Sequence, residues 1–315
     1  MLHWHVMNDQ LVNERRRSRT WLWILIGGGG FFLFVLAVFT LVYLTLHAGG
    51  GTASLTGFGD KIGVVDIQGV LLDPDEVVHQ LKKFNDDDSI KAIILHVNSP
   101  GGGVAASEEM YREVKRIRDG KKKPIVASIE TVGASGAYYV SSATDKIYAD
   151  GGSVVGSIGV ISEWVNYGDL MRWAKLKPEV MKVGQFKDTG DPTRDLTPAE
   201  RVYLQGLIDN MYSQFVQAVS EGRHANVSDI KSIADGRVWT GQQALGLKLI
   251  DKIGDFQTAV DETAKSVGIH GEPTLVHPEE NQKTLLDLLF GNISPWLPSR
   301  EKLLDQEIGF YYLWR

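Results

Sequence analysis

In the stretch VGASGAYY, Val132 to Tyr139, a serine stands among glycines and alanines where a β-branched apolar run gives way to a helix-like one. A hydroxyl so placed can be an acyl-transfer nucleophile, provided a base takes its proton and nearby amides hold the oxyanion. Gly133, Ala134 and Gly136 leave space around Ser135, and the unpaired N–H groups of a following helix favour negative charge there. The competing reading is a helix N-cap in a tight turn, the commoner role of serine before a helix. The spacing G-A-S-G-A is not the G-x-S-x-G elbow, so analogy with α/β-hydrolases fails. A second glycine cluster, HVNSPGGGV, ends another apolar run. Pro100 predicts a turn there, and Gly101, Gly102 and Gly103 can take left-handed angles and bring their amides close to a ligand. The alternative is a turn that merely enters a helix at Ala105. Neither the dinucleotide pattern G-x-G-x-x-G nor the P-loop pattern is met, because no lysine follows the glycines.

The proton acceptor is the open question. The eight histidines are His3, His5, His47, His79, His96, His224, His270 and His277. Of these only His96 is near a glycine cluster in sequence, and a histidine in an apolar strand is more often a packed core residue. Lysine is the other class of base: Ser–Lys pairs perform the same chemistry when burial brings the amine's pKa from ~10.4 down toward 7–8. Lys187 sits in VGQFKDTGDPTRDL, a glycine- and proline-bearing loop expected between a strand and a capped helix. Lys146 and Lys182 read as strand-edge charges, Lys175 and Lys177 as solvated ones. On spacing alone Lys187 and His96 both remain candidates, beside the plain reading of a solvated loop lysine.

Positioning such groups falls to alternating elements. KIGVVDIQGVL, IKAIILHV, PIVASI, DKIYA and GSIGVIS read as strands, with helices predicted over Glu76–Phe84, Ala105–Arg118 and Glu163–Ala174. That order predicts an α/β fold with largely parallel strands. In LTPAERVYLQGLIDNMYSQFVQAVSEGR a long amphipathic helix is announced by Thr197 as N-cap, Pro198 at the first helical position and Glu200 closing a capping box. Thr240 and Gln243 repeat the device in WTGQQALGLKLID. No repeat of 20–50 residues is present.

Ahead of these elements, Trp21 to Leu46 run for 26 residues without a charge. At ~1.5 Å per helical residue they reach ~39 Å, more than a ~30 Å hydrocarbon core. A membrane helix over 21–46 is therefore expected, retained rather than cleaved because a signal peptide's apolar core is shorter. Arg15, Arg16, Arg17 and Arg19 precede it and no cation follows before Lys61, so residues 1–20 are expected in the cytoplasm and the rest outside. Residues 47–60, rich in Gly, Ser and Thr, read as a linker, 61–276 as one domain and 277–315 as a tail. From His47 onward 29 lysines and arginines (33 less the four before the span) face 37 acids (39 less Asp9 and Glu14), which disfavours nucleic acid as a partner. The chain has no cysteine, so its stability must come from its core. The tail ends in an aromatic and aliphatic run, Phe310 to Trp314, for which a neighbour, the membrane surface, the substrate groove and simple packing onto the domain are all open.

Four motifs in order, LHVNSPGGGVAASEEMYREV, KPIVASIETVGASGAYYVSSATDKIYADGGSVVGSIGVI, GQFKDTGDP and DGRVWTGQQALGLKLIDKIG, make the chain from about Lys61 to Lys265 similar to the signal peptide peptidase A family. The resemblance is to its short, single-half form. It implies a ClpP/crotonase-like fold of ββα-type units behind one transmembrane helix, and a membrane-anchored serine endopeptidase acting on residual signal peptides and other apolar peptides. It further implies Ser135 as nucleophile, Lys187 as general base, Ser157 as the hydroxyl that orients Lys187, and the amides of Gly102 and Gly136 as the oxyanion hole, with Gly101 the alternative to Gly102. No cofactor or metal is implied. The expected partners are apolar peptides, the lipid bilayer and further copies of the chain in a ring, with Ser and Lys coming from neighbouring protomers. Alternatives on the same fold are a stomatin-associated membrane protease with a different substrate, an acyl-CoA enzyme, and a non-catalytic membrane scaffold.

Overall fold

The computed structural model describes residues 33–40, 60–278 and 309–314. The chain divides into two compact units, Met1–Phe58 and Gly59–Arg315. Within the first, residues 33–40 are helical with exposed side chains. Among the described residues no helix is long and apolar enough to cross a membrane. The remainder of the span predicted over 21–46, the segment 1–20, the linker apart from Asp60, and residues 279–308 of the tail lie outside the described residues.

The second unit alternates strands and helices: β1 (Lys61–Leu71), α1 (Asp75–Asp86), β2 (Ile90–Gly103), α2 (Val104–Gly120), β3 (Ile125–Ala134), α3 (Gly136–Ser141), β4 (Lys146–Ala149), β5 (Val154–Gly156) and β6 (Ile161–Glu163). It continues through α4 (Gly168–Trp173), α5 (Pro198–Gly222), α6 (Val227–Ile233), β7 (Val238–Thr240), α7 (Gly241–Gly246), β8 (Lys252–Ile253), α8 (Phe256–Ser266), β9 (Thr274–Val276) and β10 (Gly309–Leu313). One mixed sheet joins the ten strands among the described residues. The β1–β2, β2–β3, β3–β4, β3–β5, β4–β8 and β1–β9 pairs are parallel, whereas β10 runs antiparallel to both β2 and β6, and β7 to β5.

The central strands read as unbroken apolar runs because both of their faces are covered. Successive side chains alternate between faces. Ile93, Leu95 and Val97 of β2 and Ile125, Ala127 and Ile129 of β3 join the larger core under α1, α2, α3 and α5. Ala92, Ile94 and Val126 point the other way, onto Ala259, Val260 and Ala264 of α8. Both predicted capping boxes form, at Thr197/Glu200 and Thr240/Gln243.

Four local expectations are corrected. The predicted turn at Pro100 is extended chain, since β2 continues through Ser99–Gly103 beside β1 after a register shift. The predicted strand GSIGVIS is split into β5 and β6, with Ser157 at a positive φ of 52° between them. The predicted helix over Glu163–Ala174 shortens to α4, because Glu163 pairs with β10 and the Asn166 carboxamide oxygen accepts the Gly168 N–H at 2.9 Å, starting the helix later. Residues 174–197, Lys182 included, contain no strand.

Candidate active site

Ser135 lies where β3 hands over to α3. Ala134 is the last residue of the strand, held beside Gly156 of β5, and the Ser135 N–H donates to the Gly156 carbonyl at 2.7 Å. The Ser135 carbonyl then accepts the Tyr139 N–H at 2.8 Å, the first bond of the helix. Between these anchors Ser135 takes φ 54° and ψ −119°, a conformation that costs a non-glycine residue on the order of 1–3 kcal/mol. It occupies the N-cap position, yet its side chain makes no capping hydrogen bond. The hydroxyl is thus not spent on the role that competes with chemistry.

The glycine run approaches from β2. Gly102 lies so close to β1 that a Cβ on it would be 2.0 Å from the Leu71 carbonyl oxygen, and Gly101 has φ +98°. The two amides have different employment. The Gly101 N–H donates to Ser99 Oγ at 3.1 Å, and Ser99 Oγ in turn donates to the Gly69 carbonyl at 2.5 Å. Gly102 instead faces β10, in register with Tyr312. A Cβ on Gly136 would sit 3.1 Å from the Gly102 nitrogen and 3.1 Å from the Tyr312 carbonyl oxygen. The backbones of Gly102, Gly136 and Tyr312 therefore converge on one point beside Ser135.

The tail supplies the third wall. Leu313, Tyr312 and Tyr311 pair antiparallel with Gly101, Gly102 and Gly103, while Tyr311, Phe310 and Gly309 pair with Ile161, Ser162 and Glu163 of β6. The Trp314 N–H extends the ladder to the Pro100 carbonyl at 2.8 Å. Tyr312 is buried; its ring stands 5.3 Å from that of Tyr139 and 4.7 Å from that of Phe215, and its hydroxyl donates to the Met211 carbonyl at 2.8 Å. Burial raises the Tyr312 phenol well above its ordinary pKa and keeps it a donor. Leu313 and Trp314 reach a cavity of about 490 Å³ whose walls include Ser135, Ser157, Ile161 and Tyr212.

Structure thus brings Ser135 and Ser157 to one cavity, with Gly136 next to Ser135 in the chain and Gly102 packed close to Gly136. Lys187 is not among the residues lining it; its side chain is exposed, on the connection between α4 and α5. That connection is moored. Arg194 donates to both carboxylate oxygens of Glu200, at 2.9 and 2.5 Å, and to the Asp188 carbonyl at 3.0 Å. Lys182 pairs with Asp188, next to Lys187. The Arg194 hydrogen bonds, and then the Thr197 N–H, hold the Glu200 carboxyl far below the usual carboxylate range; the Lys182 bond lowers Asp188 likewise. The mooring was missed in sequence except for Glu200, which the capping box flagged. His96 is half-exposed and held at 3.0 Å by Asp66. It lies in register with Ser128, seven residues from Ser135 and so roughly 20 Å away at strand rise. It cannot serve Ser135 within one chain.

A serine whose hydroxyl makes no cap bond stands at a strained strand–helix junction of a mixed, largely parallel sheet, and this arrangement suggests the class. Comparisons with known proteins agree. The Clp protease family model matches residues 73–147, and that of peptidase family S49 matches residues 117–270. A protease-named protein of Synechocystis sp. is 34% identical over 74% of this chain and 84% of its own length. One from Methanocaldococcus jannaschii is 37% identical over 68% of each chain. A protein of Enterococcus faecium named as a signal peptide peptidase is 31% identical over 74% of this chain and 67% of its own. The chain belongs to the S49 peptidases, the signal peptide peptidase A family, and is a serine protease.

Proposed function

We propose that the protein is a membrane-anchored endopeptidase that clears residual signal peptides and similar apolar segments outside the cell membrane, using Ser135 and a lysine from a neighbouring copy. One observation carries the reading: an extended apolar segment, Phe310–Trp314, lies antiparallel between the glycine run and β6, with Tyr312 paired to Gly102 and its carbonyl close to Gly136. A peptide substrate adding a strand at that edge would present its scissile carbonyl in the same way. The uncharged run 21–46 supports the anchor and the apolar substrates it would meet.

Lys187 of an adjoining protomer is the base. Val165, Leu170, Trp173, Val180, Met181 and Val183 are exposed along the segment that leads to Lys187, an apolar surface of the kind that assembly covers. Covering it would also strip water from the amine and favour the neutral form that accepts a proton. In the reaction the Ser135 Oγ–H proton passes to Lys187 Nζ as Oγ bonds to the peptide carbonyl carbon, and the displaced electron pair becomes an oxyanion held by Gly102 and Gly136. When the tetrahedral adduct collapses the C–N bond breaks and Lys187 returns its proton to the leaving amine. Water then repeats the sequence on the ester and frees Ser135. Ser157, at the cavity wall, orients the incoming amine through a hydrogen bond with its hydroxyl.

Labelling with a serine-directed phosphonate tests this on the full-length protein, with Ser135→Ala and Lys187→Ala beside it, across pH. Wild type alone should label, at a rate that climbs as the amine sheds its proton. Equal labelling of the Ser135→Ala protein would remove the nucleophile assignment, and a midpoint near the ordinary histidine value of about 6.5 would shift the base role from lysine to histidine.

A further inference from the structure

Helix α2 starts directly after the glycine run, and this places Ser107 beneath the point where Gly102, Gly136 and Tyr312 meet. Ser107 is fully buried and its Oγ has no hydrogen-bond partner. A hydroxyl buried in that state has lost its hydration without replacement, and folded proteins keep few of them. Among the described residues only Thr263 Oγ1, on α8 against the opposite sheet face, shares the condition. The location of Ser107 is specific. Its Oγ lies 2.3 Å from the position a Cβ on Gly136 would occupy, and that same position is 3.1 Å from the Gly102 nitrogen and 3.1 Å from the Tyr312 carbonyl oxygen. The hydroxyl therefore borders the carbonyl-binding point but does not bond the planar carbonyl that sits there.

We infer that Ser107 is a third donor of the oxyanion pocket, a catalytic hydroxyl that engages the substrate oxygen only at the tetrahedral stage. The inference rests on the Ser135, Gly102 and Gly136 assignment above. As Oγ of Ser135 adds to the carbonyl carbon, the oxygen leaves the peptide plane and gains charge; rotation about the Ser107 Cα–Cβ bond then brings its O–H to bear. Ser107 keeps its proton throughout. A donor idle toward the substrate and engaged in the transition state lowers the barrier without tightening substrate binding. It also gives Gly136 a second reason to lack a side chain, since a methyl there would fill the space through which the hydroxyl acts.

The test compares full-length wild type, Ser107→Ala and Ser107→Cys in steady-state peptide cleavage, and in inhibition by the aldehyde of Gly-Phe-Tyr-Tyr, the sequence of residues 309–312, which forms a tetrahedral adduct with a serine. Because two backbone donors remain, Ser107→Ala should lower kcat by about ten- to a hundredfold, somewhat less than loss of a principal oxyanion donor, with KM changed by less than about twofold. The aldehyde should weaken by the same factor as kcat, and the thermal midpoint should hold or rise. Ser107→Cys should recover part of both. A purely structural serine would move neither kcat nor aldehyde affinity, so values within about twofold of wild type for both would overturn the assignment. Wild type that neither cleaves nor binds the aldehyde would instead overturn the Ser135 reading on which it rests.

Discussion

Replacing Glu200 by alanine disturbs the loop that carries Lys187 without touching either reacting group. Glu200 is buried and performs two tasks. Its carboxylate accepts the Thr197 N–H at 2.8 Å, completing the capping box that opens α5, and it binds Arg194 through both oxygens. Loss of a capping interaction costs about 1 kcal/mol. Hydrogen bonds to a charged group are worth about 1.5–3 kcal/mol, and the lower half of that range applies, because Arg194 is part-exposed and keeps its bonds to Asp188. The sum is about 2–4 kcal/mol, against a total of about 5–15 kcal/mol for an ordinary domain. Glu200→Gln retains the cap and one neutral bond and should lose about half as much. Urea unfolding of the full-length protein at pH 7, followed by circular dichroism, reads these costs. The phosphonate labelling rate should fall in the same order as the Lys187 loop loosens. The pH dependence fixes the cause. Because the folded carboxyl is held below its unfolded value, its contribution is fully present above about pH 5 and disappears as pH falls below about 4 toward the folded pKa. Wild type and Glu200→Ala should thus converge in stability under acid. A cost under about 1 kcal/mol at pH 7, or a gap unchanged down to pH 3, would refute the clamp.

Two further outcomes are expected. Mixing separately inactive Ser135→Ala and Lys187→Ala proteins under conditions that allow subunit exchange should restore about a quarter of wild-type activity at equal amounts, the fraction of heterologous interfaces that join an intact serine to an intact lysine. No recovery would place both groups in one chain. Tyr312→Ala should empty the site between Tyr139 and Phe215 and withdraw Leu313 and Trp314 from the cavity, so that phosphonate labels Ser135 severalfold faster and an added protease cuts the tail sooner; an unchanged labelling rate would mean that the tail does not obstruct the serine.

Much of the fold could be read before any coordinates. Apolar runs such as IKAIILHV carry their own signal, since a strand covered on both faces needs no polar alternation, and the two capping boxes rest on side chains three residues apart. The errors fall where a distant strand overrides the local preference. Ser99–Gly103 looks like a turn by composition and is held extended by β1 on one side and β10 on the other. Glu163 looks helical in continuation of the residues after it and is claimed by the tail. The tail itself carried an apolar signal with no indication of its destination.

By itself the sequence determined which residue types could do chemistry and which elements would carry them: a serine without bulky neighbours, a glycine run, a lysine in a loop, strands and capped helices in alternation. These are properties of short windows, where propensity and side-chain spacing act within a few residues. Only the tertiary structure decided that the Gly101 amide is spent on Ser99 while Gly102 faces the carbonyl site, that the Ser135 hydroxyl is not used as a cap, that His96 lies too far along its strand, and that Ser107 sits buried and unpaired beneath the glycines. Each depends on the register and close approach of backbones far apart in the chain, set by the packing of the whole sheet.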